Sequence, residues 1–581
     1  MISGARAVRG SGVGARGLID ALGAAAPRYT SGDREEKLRL LGRLAESPVQ
    51  DPRALGHLHE TLCFLQAYPD DGAVLGAVDR ALTEFPARVK RLGLASTGQL
   101  HDSGIAGTTL NYPFSFPMAR WLATRFPRDV DVLWEKFSEA ERLQDSLILL
   151  LHRTEHDGFS DEGGLGWRRW LEVAKGGRAL TDLQLLLDLF DQAGLDGQVR
   201  DWLFESLALP IGWRLDAPGA SRTFARLPWP RPYFHPPAHA ALSRPSPRDF
   251  ISEVTRPLPS LNRASRPLAE SLIEAARRAT ATRLRELFAF AYANPDDVLV
   301  ADPGRGLRIA LIGLLPEWRL PLDGYYAYLA LKNGVPVGYG AGWQLFDAIE
   351  VAVNVFESFR RGESAFIVGQ VFRAYHQALG MRMMVVDPYQ IGQDNPEALK
   401  SGAFYFYQRL GFRPRDPAVL RLSEQEQEKI ARDRTYRTPL RALKELARSE
   451  IYLPLSAGDP DAKRRITASR LAALVTDHIA RRFQGDRRRA GRDASARVAQ
   501  ALRVPEWTSW PHNERRAFEQ LALVMALISD LPRWPAADRR RLVQVIRAKG
   551  DASEARYVRL LATHHRLRQS LDALLAASHP D

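Results

Sequence analysis

From about Asp33 apolar residues recur at helical spacing. In DPRALGHLHETLCFLQAYPDD, Asp51 stands at the N-cap position and Pro52 at the first helical one. That pair starts a helix because an Asp side chain caps free N–H groups and a proline lacks the N–H that a first turn leaves unbonded. Leu55, Leu58, Leu62 and Leu65 then share one face, as a period of 3.6 requires. GAVLGAVDRALTEFPARVKRL and TDLQLLLDLFDQAGL follow the same pattern, with no fixed-period repeat between them. Between Leu209 and Leu268 prolines crowd together, as in LPWPRPYFHPPAHAALSRPSPRDF. This predicts a linker or extended wrap, and a domain boundary. A charged helix follows, LAESLIEAARRATATRLRELFAFAY.

The texture then turns to strands. VLVADPGRGLRIALIGLLP places a Gly-Arg-Gly turn between apolar runs, and YYAYLALKNGVPVGYGAGW carries Asn333-Gly334, a strong hairpin signal. AIEVAVNVFESF (348–359) alternates and is β-branched. A helix, ESAFIVGQVFRAYHQALG, leads to the strand MRMMVVDPYQ, then to the helix SGAFYFYQRLGF and a closing strand, FRPRDPAVLRL. After about Arg432 the chain reads as helical and charged. The expected organisation is a disordered tail (1–32), a helical N-terminal domain (33–209), a Pro-rich linker (210–267), an α/β domain (268–431) and a helical, basic C-terminal region (432–581).

A chain of 581 residues exceeds one ordinary core, so several domains are expected. No segment approaches the roughly 18 uninterrupted apolar residues of a membrane span. The single cysteine, Cys63, forms no intrachain disulfide and excludes Cys-rich metal patterns; it fits a reducing compartment, and a cytoplasmic location is expected. The first residues lack the apolar core of a secretory signal. Net charge is +13, a mild bias at this length. RRFQGDRRRAGRDASAR (481–497) concentrates cations; it reads as a solvated basic stretch, with a weak anionic partner as the alternative.

The order hairpin, strand, helix, strand, helix, strand, together with AFYFYQRLGF, resembles the GNAT N-acyltransferase superfamily over roughly residues 268–422. Ala403, Phe406, Tyr407, Leu410, Gly411 and Phe412 fall where the family's late helix and following strand carry an Ala, an apolar-Tyr pair and Leu-Gly-Phe. The resemblance implies a GNAT-like α/β domain, a mixed central sheet with flanking helices, set between mainly α-helical regions. It also implies direct transfer of an acyl group from acetyl-CoA or another acyl-CoA, as co-substrate, to an amine acceptor.

Such chemistry has four needs. A pyrophosphate cradle requires N–H groups at a helix start; FRRGESAF is the match, through Arg360, Arg361, Gly362, Glu363, Ser364 and Ala365. The family's two glycines are absent here, Glu363 adds a negative charge, and an ordinary capped helix start is the equal alternative. The strand before that helix must offer an edge to the pantetheine arm, and EVAVNVFESF fits by position. A general acid must protonate the departing thiolate; Tyr407 matches, against the alternative of a buried structural tyrosine. Lys400 stands where the family places an Asn on CoA. A base must take the amine's proton, and Glu350 is the candidate.

HRTEH (152–156) matches the His-x-x-Glu-His zinc signature, so His152, Glu155 and His156 make a minor hydrolase alternative. HLHE (57–60) and His564-His565 read as surface, His376 as packed or half-exposed. No phosphate-binding Gly-rich loop or nucleophile elbow occurs, and no metal is expected. Two readings stand: an acyl-CoA-dependent N-acyltransferase, or a GNAT-like module that has lost that chemistry and serves binding or scaffolding.

Overall fold

The computed structural model describes residues 14–159, 164–217, 219–235, 246–455 and 466–578. Its first sheet is small: β1 (Thr109–Tyr112), β2 (Val130–Val132) and β3 (Ile211–Arg214) pair antiparallel in the order β1-β3-β2 among the N-terminal helices. The helix Pro52–Ala67 begins as its sequence predicts. Asp51 accepts from the Arg53 N–H, Pro52 occupies the first turn, and Leu55, Leu58, Leu62 and Leu65 are buried.

The second sheet is mixed α/β in character and has nine strands. β4 (Ser260–Arg263), β5 (Ala293–Gly304), β6 (Leu307–Leu314), β7 (Gly324–Lys332), β8 (Val335–Leu345) and β9 (Ala348–Val355) form an antiparallel meander. β9 then pairs in parallel with β10 (Met383–Val386) after the crossover helix Ser364–Leu379. β11 (Arg413–Pro414) and β12 (Ile451–Pro454) complete the order, with β12 inserted between β10 and β11.

The turns explain the meander. Arg305-Gly306 and Asn333-Gly334 all have positive φ, near 55°, 70°, 49° and 84°, the backbone that a two-residue hairpin needs. Asn333 does more than turn. It is fully buried, its Nδ2 donates to the carbonyls of Ala67 and Tyr233 at 2.9 Å each, and its Oδ1 accepts the Tyr233 N–H at 2.8 Å. One side chain thus ties the hairpin to an N-terminal helix and to the Pro-rich segment.

The expected boundaries shift in three places. Ala15–Ala25, within the tail expected to be disordered, is a helix that buries Leu18, Ile19 and Leu22. The segment 210–267 contributes β3, the helix Pro247–Thr255 and β4, and Leu227 donates to the Gly334 carbonyl; of the linker and the wrap expected there, its described residues form the wrap. FRPRDPAVLRL pairs over only Arg413–Pro414 before the helix Pro417–Arg432, because Asp416 and Pro417 supply a helix start. The missing strand comes from Ile451–Pro454, within the region expected to be helical.

On one face of the sheet Gly340 and Gly342 leave room for aromatic rings. A Cβ at Gly340 would lie 2.7 Å from the Tyr328 ring, and one at Gly342 3.1 Å from the Tyr375 ring. This face carries the helix Ser364–Leu379. Tyr339, Phe290 and Phe356 pack together on the other face, beside the segment that follows the helix Arg266–Ala281. The C-terminal helices are joined to the sheet through buried polar groups: Arg319 donates to the carbonyls of Lys549, Asp551 and Ala552, and Glu554 accepts from the Tyr325 N–H.

Replacing Asn333 with Gly keeps the backbone freedom and removes three hydrogen bonds. We expect a loss of about 2–4 kcal/mol in denaturant unfolding, since each buried group left unpaired costs about 1 kcal/mol or more. A loss below about 1 kcal/mol would show that the side chain is not the tie described.

Candidate functional site

β10 leaves β9 early. Pairing runs through Met383–Ala348, Met384–Ile349 and Val385–Glu350 and then stops, while β9 continues to Val355. Among the described residues no strand pairs with that side of Val351–Val355. The Phe356 N–H bonds to Val337 on the β8 side, so alternation along the strand turns the Val353 peptide groups toward the opening. Glu350, Ala352 and Asn354 share one face; Val351, Val353 and Val355 share the other.

On the face of the crossover helix, the Tyr328 ring lies over Gly340, in the space that a Cβ would fill. Tyr407 is buried, with its ring against Phe406 and Phe412. Burial pushes both phenols well above the usual range, so each is a neutral potential proton donor. Tyr407 is expected on a late helix, and it lies on Ala403–Leu410.

On the opposite face a cavity of about 590 Å³ begins where β9 ends. Asn354, Phe356, Ser358, Arg360 and Arg361 come from the end of β9 and the loop after it, and Arg283 and Arg285 from behind the helix Arg266–Ala281. The second wall belongs to N-terminal helices, through Gly23, Pro27, His57, Glu60 and Thr61. Glu60 organises the floor. It meets the Arg222 guanidinium at 2.5 Å, accepts from the Ser358 hydroxyl, and has the His59 ring 3.6 Å away. Burial raises its pKa, but Arg222 and the hydrogen bonds from His59 and Ser358 outweigh that and hold the carboxyl well below its ordinary range. His59 is fully buried, with Nε2 at 2.9 Å from the Thr223 hydroxyl, and burial lowers its pKa. Cys63, one turn on, is also buried, and its thiol is pushed up to about 12.

Arg283 lies in the wall with its guanidinium 3.7 Å from the centre of the Phe356 ring and Nη1 donating to the Ala279 carbonyl at 2.8 Å. Burial, then the nearby Arg222, push its pKa down to about 9, which leaves it a cation at neutral pH.

The expected cradle is divided. Arg360 and Arg361 face the cavity; Arg360 donates to the Val355 carbonyl at 3.1 Å and pairs with Glu397 at 3.2 Å. Glu363 turns inward, where its buried carboxylate accepts from Lys332 at 2.7 Å and from Arg305. Gly362 lies under Tyr68, whose ring would be 2.8 Å from a Cβ there. Ser364 donates to the Arg360 carbonyl, and Ala365 is half-buried. At the helix start only Glu363 is buried; Gly362 is exposed, with Tyr68 against one side of it. Lys400 is exposed on Pro396–Ser401 and does not line the cavity. Glu350 is half-buried on the cavity's face of the sheet, outside its walls.

The zinc-like pair does not form a helical face. His152 is extended, a 3₁₀ turn spans Arg153–Glu155, and His156 starts a separate short helix. The His152 N–H and the Glu155 carboxylate are used in capping that turn. Among the described residues no group of three or more His, Cys, Asp and Glu is placed to hold a metal ion. HLHE is not a surface motif: His59 is buried and Glu60 anchors the cavity floor. His564 is likewise buried, accepting from the Leu567 N–H, while His565 is exposed and His376 is half-buried against the Met381 carbonyl.

Sequence reasoning missed Glu60, Arg222, Arg283 and Arg285. They come from segments far apart in the chain, and no local spacing announces them. No protein-family model, curated protein or solved structure matches the chain.

His59 and Glu60 make the site acid-labile. The unfolded His takes up a proton below about pH 6.5, whereas the folded one resists it, so stability falls as pH drops through that value. Glu60 contributes stability above its unfolded pKa of about 4.3, and this is lost only as pH falls further. Melting temperature followed from pH 7 to 4 should therefore lose its decline between about pH 6.5 and 5 in His59→Gln and keep the steeper acid limb below. Parallel wild-type and variant curves would contradict this.

Proposed function

We propose that the chain is a GNAT-like, acyl-CoA-dependent N-acyltransferase that passes an acyl group directly from the thioester to an amine. The observation that carries this reading is the parting of β9 from β10, which leaves Val351–Val355 unpaired on one side. An extended pantetheine arm needs an unpaired strand edge for its amides, and Val351–Val355 has one. The strand order, with β12 between β10 and β11 after a parallel β9–β10 crossover, supports the same fold assignment.

In this reading the amine nitrogen attacks the thioester carbonyl, the C–N bond forms, and the C–S bond breaks. Tyr407 donates its proton to the departing thiolate. Glu350, on the opposite face, takes the ammonium proton directly or through water. The second reading, a module without catalysis, is favoured by the Glu363 carboxylate at the helix start and by the depth of Tyr407.

Calorimetry with acetyl-CoA and a longer acyl-CoA separates them. Binding in wild type is expected, and its absence would end the transferase reading. Val353→Pro removes an N–H turned to the opening, on an edge where proline is tolerated, and should weaken acyl-CoA binding by about tenfold, the worth of one hydrogen bond of about 1.4 kcal/mol. Tyr407→Phe should lower turnover about 10²–10⁴-fold, the usual range for a general acid, with affinity nearly unchanged. Binding without turnover in wild type would favour the silent module.

A further inference from the structure

The cavity carries more positive charge than its own carboxylates neutralise. Five arginines face it, and two are matched: Arg222 by Glu60 and Arg360 by Glu397. Arg283, Arg285 and Arg361 have no carboxylate within ion-pair distance among the described residues. Of the remaining acids on the wall, Asp102 accepts from the Asn111 N–H at 2.8 Å, and Glu357 is exposed at the rim. Arg285 rests against the Tyr339 hydroxyl; Arg283 is held flat on Phe356 and by the Ala279 carbonyl. Both are oriented by groups that leave their charge uncompensated.

We propose that this cavity is a binding site for a phosphate-bearing ligand, held by Arg283, Arg285 and Arg361, with the N-terminal helices as its second wall. One bidentate arginine satisfies a carboxylate. Three guanidinia that line one cavity without a carboxylate partner suit a group with more oxygens and more charge, and arginine's planar fork matches phosphate. The volume, about 590 Å³, admits a small organic body behind the phosphate, packed on Phe64 and Phe356. At the helix start Gly362–Ala365, the expected phosphate cradle, Gly362 is exposed and Glu363 is paired inward with Lys332 and Arg305. The arginine wall begins there, at Arg361.

The inference rests on the cavity alone and stands whether or not acyl transfer occurs. The phosphate has two sources, the diphosphate of a bound coenzyme or a phosphorylated acceptor.

Calorimetric titration of the full-length chain with sodium pyrophosphate at low salt tests it. Wild type should bind. Arg283→Gln and Arg361→Gln should each weaken binding about ten- to a hundredfold, the range for a hydrogen bond to a charged group. Arg361 is exposed, so its variant folds regardless of the fate of Arg283→Gln. Arg432→Gln, exposed at the end of the helix Pro417–Arg432 and not in the cavity wall, should leave affinity unchanged. No binding in wild type, or equal weakening by Arg432→Gln, overturns the proposal. Acetyl-CoA added to the pyrophosphate complex then identifies the source. Displacement assigns the site to the coenzyme's diphosphate; simultaneous binding assigns it to a phosphorylated acceptor. If acetyl-CoA fails to bind while pyrophosphate binds, the transferase reading falls and the phosphate site remains.

Discussion

Every peptide group in a sheet needs a partner, and β9 is where the supply runs short. Its β8 side is paired along its whole length, while its other side is paired only to Glu350. An interior strand with a half-open edge is costly in a protein core unless water or a ligand reaches it. The surroundings follow from that constraint. The crossover helix packs on one face, with Tyr375 meeting Tyr328, the arginine cavity opens on the other, and the loop after Val355 is turned so that Arg360 caps the last carbonyl of the strand.

The N-terminal helices do not form an independent appendage. Asn333 bonds to Ala67, Tyr68 lies against one side of Gly362, and Glu60 binds Ser358 in the loop after β9. All three contacts come from one helix or its end, Pro52–Tyr68, pressed on the tip of one hairpin and the end of one strand. Buried charge accompanies it: Lys332, Arg305 and Glu363 form a closed set beneath Tyr68, with Lys332 also facing the Tyr68 and Tyr233 rings. Such a set adds little net stability over an apolar core, but it admits one arrangement of its partners and so fixes how the helix docks.

Local features were legible in the sequence because local physics decides them. Asp51-Pro52 starts a helix and Asn333-Gly334 turns a hairpin whatever lies nearby. The late helix with Tyr407 was legible from its residue order. What could not be read were pairings set by distant partners. Pro414 and Asp416-Pro417 cut the expected closing strand short, and the sheet takes its missing member from Ile451–Pro454, whose four residues carry no alternation long enough to recognise. Glu60 looked like a surface residue in HLHE because its partners, Arg222 and Ser358, stand about 160 and 300 residues away. His152 and His156 have helical spacing in the sequence, but the backbone turns between them.

The joint between the sheet and the C-terminal helices has a consequence in time. Tyr557 bonds to the Leu322 carbonyl across 235 residues, and Arg319 and Tyr325 wait on partners at Lys549–Glu554 over a similar span. At about 5–20 residues per second, a ribosome takes roughly 10–50 s to make that stretch. Within that interval, once β9 is made, the meander waits about a hundred residues for β12 and about two hundred for the helix that covers Gly324. Its apolar face and its β10 edge are exposed on the nascent chain, a substrate for chaperones and a hazard for neighbours. Synthesis itself, rather than collapse, sets when this protein can finish folding.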